Sequence, residues 1–175
     1  MATSETAQHD ALVADLKNRF GSKIIDVDRS FGDCTIVAER SVVRDLLAWL
    51  KNEKAFDLLM DMAGVDCMNL PVVRERFELN YMLYSVANNV RLRVEVPVPE
   101  LDMDVPTVSD LWRSANWAER EAFEMFGFNF VGHPCLKRLL THHEFKGHPL
   151  RKDYPVMAGQ WCSSTSDMTE ELNEP

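Results

Sequence analysis

Little in this chain announces chemistry of its own. Its four cysteines, Cys34, Cys67, Cys135 and Cys162, stand far apart and form no CxxC pair. That spacing argues against a zinc knuckle, a sequence-local iron-sulfur site or a secreted disulfide framework, and free thiols in a reducing compartment are the simplest reading. The seven glycines sit singly at turns and build neither GxGxxG nor GxxxxGK[ST], so no phosphate-cradling loop is expected. No charge-free run reaches the roughly eighteen residues of a spanning helix. The opening MATSETAQHD lacks the basic and apolar regions of a signal peptide. A soluble chain that reaches a membrane only by holding something else is therefore expected.

What is present fits one compact domain. A chain of 175 residues with 46% hydrophobic content can bury roughly 70% of its unfolded surface without a disulfide or metal staple. Charge is uneven. Residues 132–155 hold five basic side chains (Lys137, Arg138, Lys146, Arg151, Lys152) and two acidic ones (Glu144, Asp153), a net of +3; the whole chain is −9, leaving −12 for the remainder. An acidic body disfavours nucleic acid as main ligand, and a local basic strip suits a steered protein contact.

The periodicities predict an α+β fold: an N-terminal helix, a mixed or antiparallel sheet with helices packed on it, a short helix and an extended C-terminal docking arm. Leu12, Val13, Leu16 and Phe20 share a helical face that Gly21 ends. Residues 23–27 and 34–38 read as strands around a Gly32-Asp33 turn. Val43, Leu46, Leu47 and Leu50 define a helix over about 41–51. Residues 56–67 read as a buried strand. Alternation over 77–84 and 90–96 with Asn88-Asn89 between them predicts a hairpin, and Pro97, Pro99 and Pro106 are expected to end the sheet. We expect an α+β domain over 1–106, a helix and basic arm over 107–155 and an extended or mobile tail over 156–175.

In residues 107–130, Asn116 and Glu119 suggest a capping box, with Ala118, Ala122, Met125 and Phe126 as core stripe and an Arg120–Glu124 pair on the opposite side. Phe123 falls off the apolar face. With Phe126-Gly127-Phe128-Asn129-Phe130 beside it, a partner surface is plausible.

The most unusual feature is a repeated tripeptide, Gly132-His133-Pro134 and Gly147-His148-Pro149. Glycine frees the backbone while proline fixes φ and restricts its predecessor, so each presents a histidine at a stiff corner. His133, His142, His143, His148 and Asp153 could in principle hold a metal, yet HExxH, an i, i+4 pair and HxH are all missing. Cys135 before Lys137 and Arg138 lacks an orienting third group. Packed corners are the better reading, and a small metal-dependent enzyme using His133, His148 and Asp153 is the rival.

The run Glu119-Arg120-Glu121, Phe123-Glu124-Met125-Phe126-Gly127, Gly132-His133-Pro134, Leu136-Lys137-Arg138-Leu139-Leu140 and Phe145 to Pro155 resembles the signature of the 30-kDa subunit family of respiratory complex I, the proton-translocating NADH:quinone oxidoreductase, in which bacteria call it the C subunit. The likeness runs from Trp117 to Pro155. It implies a non-catalytic structural subunit of the peripheral arm on the cytoplasmic side of the bacterial inner membrane. It also implies docking against the large 49-kDa-type subunit and the 20-kDa-type subunit (D and B in bacteria), near the quinone-reducing module. This chain is then expected to bind no cofactor, with NADH, FMN, iron-sulfur clusters and quinone on partner subunits. The residues expected to dock are Glu119, Arg120, Glu121, Phe123, Phe126, His133, Lys137, Arg138, His148, Arg151, Lys152 and Asp153, with Arg138 and Arg151 as anchors. Related subunits of membrane-bound hydrogenases and other-donor dehydrogenases are the near alternative. After Pro155 the family's Arg-Tyr portion is absent although Gly159 fits, which sets the last twenty residues apart.

Overall fold

The computed structural model describes residues 2–30, 33–71 and 73–160, with the side chains of residues 2–7 excepted. Helix α1 (Ala2–Phe20) leads into strands β1 (Ile24–Asp28) and β2 (Thr35–Ala38), helix α2 (Val43–Lys54), and strands β3 (Leu58–Asp66), β4 (Phe77–Ser85) and β5 (Val90–Val98). Strand β6 (Asp104–Pro106), helix α3 (Arg113–Phe126) and strand β7 (Asn129–Val131) follow, then an arm without helix or strand to residue 160. The Gly32-Asp33 turn falls partly, and residues 161–175 of the expected tail fall wholly, outside the described residues.

The five-stranded sheet runs β1-β2-β5-β4-β3. The β4/β5 hairpin sits inside it, with Phe77 opposite Val98 and Ser85 opposite Val90. Strand β2 lies parallel to β5, whereas β1 and β3 pair antiparallel with their neighbours. Odd-numbered β4 residues and even-numbered β5 residues face the core, as strict alternation requires. Leu12, Val13 and Leu16 of α1 and Leu46, Leu47 and Leu50 of α2 join the same cluster.

A second, two-stranded sheet pairs β6 with β7 in parallel. Parallel neighbours need a crossover, and α3 supplies it. Its C-terminal end meets β3 closely: a Cβ on Gly64 would lie 2.7 Å from Phe126 and 2.8 Å from Phe128. Only glycine at that position lets the helix and β7 approach the sheet.

Four expectations change. Strand β3 is an edge strand with Leu58 and Met60 exposed, because only one of its faces is covered. Pro97 lies within β5 opposite Glu78, beyond Glu95, the last β5 residue paired with β2, so no ladder donor is lost there. Helix α3 begins at Arg113 with Trp112 as extended N-cap and no side-chain cap. Trp112 sets that entry: it is buried, and its indole Nε1–H donates to the Asp57 carbonyl at 3.1 Å. Phe126, Phe128 and Phe130 are buried, with successive ring centroids 6.2 and 6.3 Å apart, so the aromatic run is core.

A candidate partner interface: the arm clasped to helix α3

An irregular arm can keep one shape only if its backbone donors and acceptors find partners. Here α3 and the sheet provide them. Glu124 is completely buried, and its carboxylate accepts from the backbone N–H of Leu139 (2.7 Å), Leu140 (2.8 Å) and Thr141 (2.5 Å) and from the Thr141 hydroxyl. Burial by itself would raise this group's pKa, but those bonds outweigh it and hold the carboxyl below its ordinary value. Arg120 serves the same turn from the other side, donating through Nε to Lys137 O and through Nη2 to Arg138 O, both at 2.9 Å. The expected Arg120–Glu124 pair is thus replaced by two separate clasps. A charged side chain gains more from bundled backbone dipoles than from an exposed i, i+4 partner.

The second corner is fastened at the C-terminus of α3. His148 Nδ1 lies 2.9 Å from the Glu124 carbonyl, which makes it the donor, and burial lowers the ring's pKa and favours the neutral form. Arg151 Nε donates to Phe126 O at 2.6 Å and its guanidinium lies 5.0 Å from the Phe77 ring centroid. Both side chains crowd Gly127, whose φ is +90° and whose added Cβ would lie 2.6 Å from Arg151 and 2.7 Å from His148. Gly127→Ala should therefore cost about 1–3 kcal/mol from the left-handed backbone and release the arm. Limited proteolysis would show it as faster cleavage between Lys137 and Lys152.

A third clasp joins the arm to the sheet. Asp66, buried at the end of β3, accepts from Lys152 N at 2.9 Å and from Arg76, and Arg76 also pairs with Glu100 and Asp153. Burial opposes ionisation of Asp66, yet its bonds to Arg76, Lys152 N and Met68 N lower its pKa overall. Asp153, read from sequence as a docking residue, thus spends its carboxylate on Arg76 within the chain.

The first corner rests on Glu119. This fully buried carboxyl accepts from Thr107 Oγ1 at 2.5 Å and Val108 N at 2.7 Å. Burial pushes its pKa up to about 7 against those two bonds. His133 Nε2 stands 4.0 Å away and is engaged by the Asn116 carbonyl at 3.2 Å, while His133 Nδ1 accepts from Cys135 N at 3.0 Å. With Nδ1 accepting and Nε2 facing the Asn116 carbonyl, the ring's orientation is fixed at the corner.

Of the residues expected to dock, Glu119 and Phe126 are therefore interior. His133, His148, Arg120 and Arg151 turn inward to backbone oxygens, Arg138 reaches Thr141 and lies 5.7 Å from the Phe145 ring, and Phe123 packs partly on the core. Glu121, Lys137, Lys152 and Asp153 remain exposed. His133, His148 and Asp153 go to three different partners, and among the described residues no three His, Cys, Asp or Glu side chains group to hold a metal ion. Sequence reasoning missed Glu124 and Asp66 as clasps. Asp66 had a signal, a lone carboxylate closing an apolar strand.

This clasped segment and the sheet from β2 onward match one family model, respiratory-chain NADH dehydrogenase 30-kDa subunit, over residues 36–160. The chain belongs to the 30-kDa subunit family of respiratory-chain NADH dehydrogenase. It is 39% identical to the C subunit of NADH-quinone oxidoreductase from Geobacter sulfurreducens, covering 86% of this chain and 91% of that one. It is 38% identical to the corresponding C subunit from Bartonella bacilliformis over 94% of this chain and 79% of that one. Among solved structures, the trypsin-resistant fragment of Nqo5 aligns with a TM-score of 0.65 at 35% identity, covering 71% of this chain and 98% of the fragment. A chain of the membrane-bound sulfane sulfur reductase, an archaeal respiratory membrane complex, aligns with a TM-score of 0.71 over 85% of this chain and 86% of that one; at 23% identity this is likeness of fold alone. The α+β architecture of the 30-kDa family is the one described above. Among the described residues no helix is long and apolar enough to cross a membrane.

Proposed function

We propose that this chain works by position. As a member of the 30-kDa family it is a subunit of the peripheral arm of NADH-quinone oxidoreductase and partners other subunits of that complex. On this reading it contributes no catalytic residue and no cofactor, and NADH, FMN, iron-sulfur clusters and quinone are handled by its neighbours. Those neighbours are the 49-kDa-type and 20-kDa-type subunits at the quinone-reducing module, on the cytoplasmic side of the membrane. Residues 1–106 form the body and 107–155 the docking unit.

The observation that carries the reading is the clasping itself. Buried Glu124, Asp66 and Glu119 and the inward Arg120 and Arg151 stiffen a strip that has no regular structure, leaving Trp117, Leu140 and Leu150 at 63%, 62% and 50% exposure. A pre-ordered strip with apolar side chains outward loses little entropy on docking. Glu121, Lys137 and Lys152 flank those side chains in sequence and supply charged rim contacts. Arg138 and Arg151 anchor the partner contact by holding this strip in place.

Arg138→Ala with Arg151→Ala should sharply reduce recovery of the other subunits by an affinity-tagged chain from detergent-solubilised membranes, together with NADH:quinone reductase activity. Undiminished recovery and activity would sink the docking role.

A further inference from the structure

The sheet has a second face, pointing away from α1 and α2, that the clasped arm does not use. It carries Glu78, Asn80, Met82 and Tyr84 from β4 and Arg91, Arg93 and Glu95 from β5. At one end Arg74 reaches across it, 2.5 Å from Asp26 and 3.7 Å from Glu95. The other end is open. There Asp33, Met60, Asp61, Met82, Arg91 and Arg93 line a cavity of about 370 Å³.

Two features of this cavity stand out against the rest of the molecule. Arg19, Arg29, Arg40, Arg44, Arg74 and Arg76 all pair with carboxylates, and Arg120, Arg138 and Arg151 hydrogen-bond to oxygen acceptors. Among the described residues, Arg91, Arg93 and the exposed Arg113 have no such side-chain partner, and of these only Arg93 has a donor, its Nε–H, that is buried and unsatisfied. A buried guanidinium donor without an acceptor is costly in a chain whose net charge is −9 and whose carboxylates are abundant. Beside it, Met60 is 51% exposed at the bulge in β3 between Leu59 and Asp61. Methionine and arginine around one concavity are the composition of a protein contact.

We infer that this cavity receives a segment of a neighbouring subunit that presents an Asp or Glu carboxylate next to an apolar side chain. The carboxylate accepts from the Arg93 guanidinium in the two-pronged geometry that guanidinium and carboxylate share, the side chain turning toward the cavity to bring its Nε–H out, with Arg91 at the rim. The apolar neighbour covers Met60 and Met82. A phosphate-bearing ligand fits less well, because Asp33 and Asp61 line the same cavity and repel a dianion more than a single carboxylate. This inference rests on the chain being a subunit of a larger assembly, and it places a second contact on the opposite side of the sheet from the core.

The test uses the full-length tagged chain in its own membranes, carrying Arg91→Glu, Arg93→Gln or, as a control on an exposed basic residue of α1 that lines neither the cavity nor the arm, Lys17→Glu. Arg91 is exposed, so its reversal leaves the melting temperature of the purified chain unchanged. Recovery of partner subunits is expected to fall about tenfold for Arg91→Glu and Arg93→Gln, and to stay at the wild-type level for Lys17→Glu. A photo-crosslinking residue at position 82 should join the chain to a polypeptide segment containing Asp or Glu. Wild-type recovery by Arg91→Glu and Arg93→Gln, or a crosslink to lipid alone, overturns the inference while leaving the subunit reading intact. Failure of the unmodified chain to recover any partner overturns both.

Discussion

Glu124→Gln should destabilise the chain by about 3–5 kcal/mol and free the arm, although the substitution preserves shape. The carboxylate accepts from three backbone N–H groups and one hydroxyl. An amide keeps one acceptor oxygen and turns an NH₂ toward donors, so at least one buried N–H loses its acceptor and faces another donor. Removing the charged member of such a buried set costs in the range found for broken buried ion pairs. For a chain of this length a loss of that size is about 10 °C or more in melting temperature. Thermal melting gives the first readout, and amide hydrogen exchange at residues 139–141 gives the second. Slow exchange at those amides in the variant would show that Glu124 is not what holds the arm.

Glu119→Gln should do the reverse. Glu119 has its pKa raised from 4.5 to about 7 by burial, so between those values the folded chain holds a proton that the unfolded chain has lost. Stability from this group is then full at pH values below the unfolded pKa, declines as pH rises toward 7, and is gone above it. A glutamine is permanently neutral. Its oxygen can accept from Val108 N and its NH₂ can donate to Thr107 Oγ1, which in turn can donate to Ser109 Oγ at 2.8 Å. The charges around the site do not cancel the effect, since Asp110 raises the pKa and Arg44 lowers it, each less than burial does, and burial also raises the pKa of the nearby Tyr81 hydroxyl. At pH 8 the variant should be more stable by about 3 kcal/mol, a rise of roughly 5–10 °C in melting temperature, and the gap should close by pH 4.5. An equal melting temperature for both proteins at pH 8 would show that Glu119 is ionised at no cost.

The opposite outcomes expected for two glutamates five residues apart show where sequence reading stops. Periodicity alone gave α2 and the β4/β5 hairpin, because each buries one face against a continuous core and must repeat at 3.6 or 2. Gly21 and the Gly-His-Pro corners were equally legible, since φ preferences are local; Gly132 and Gly147 stand at φ +87° and +89°. The likeness running from Trp117 to Pro155 led to the right family. The start of α3 was misplaced because Trp112 enters the core through a carbonyl at Asp57, a contact 55 residues away.

Glu119, Glu121 and Glu124 look alike on one short helix. In the folded chain Glu121 alone is exposed. The arm returns over α3 from residues 133 to 151 and converts the surface beneath it into interior, and each carboxylate's state then follows from how many donors reach it: two for Glu119, from Thr107 and Val108 ahead of the helix, and four for Glu124, all from the arm. Local pattern determined which segments are helix, strand and corner, and which family the chain belongs to. The tertiary structure alone decided strand order, the inward turn of the arginines and the ionisation of the buried acids, because burial and hydrogen-bond supply depend on contacts between residues far apart in sequence.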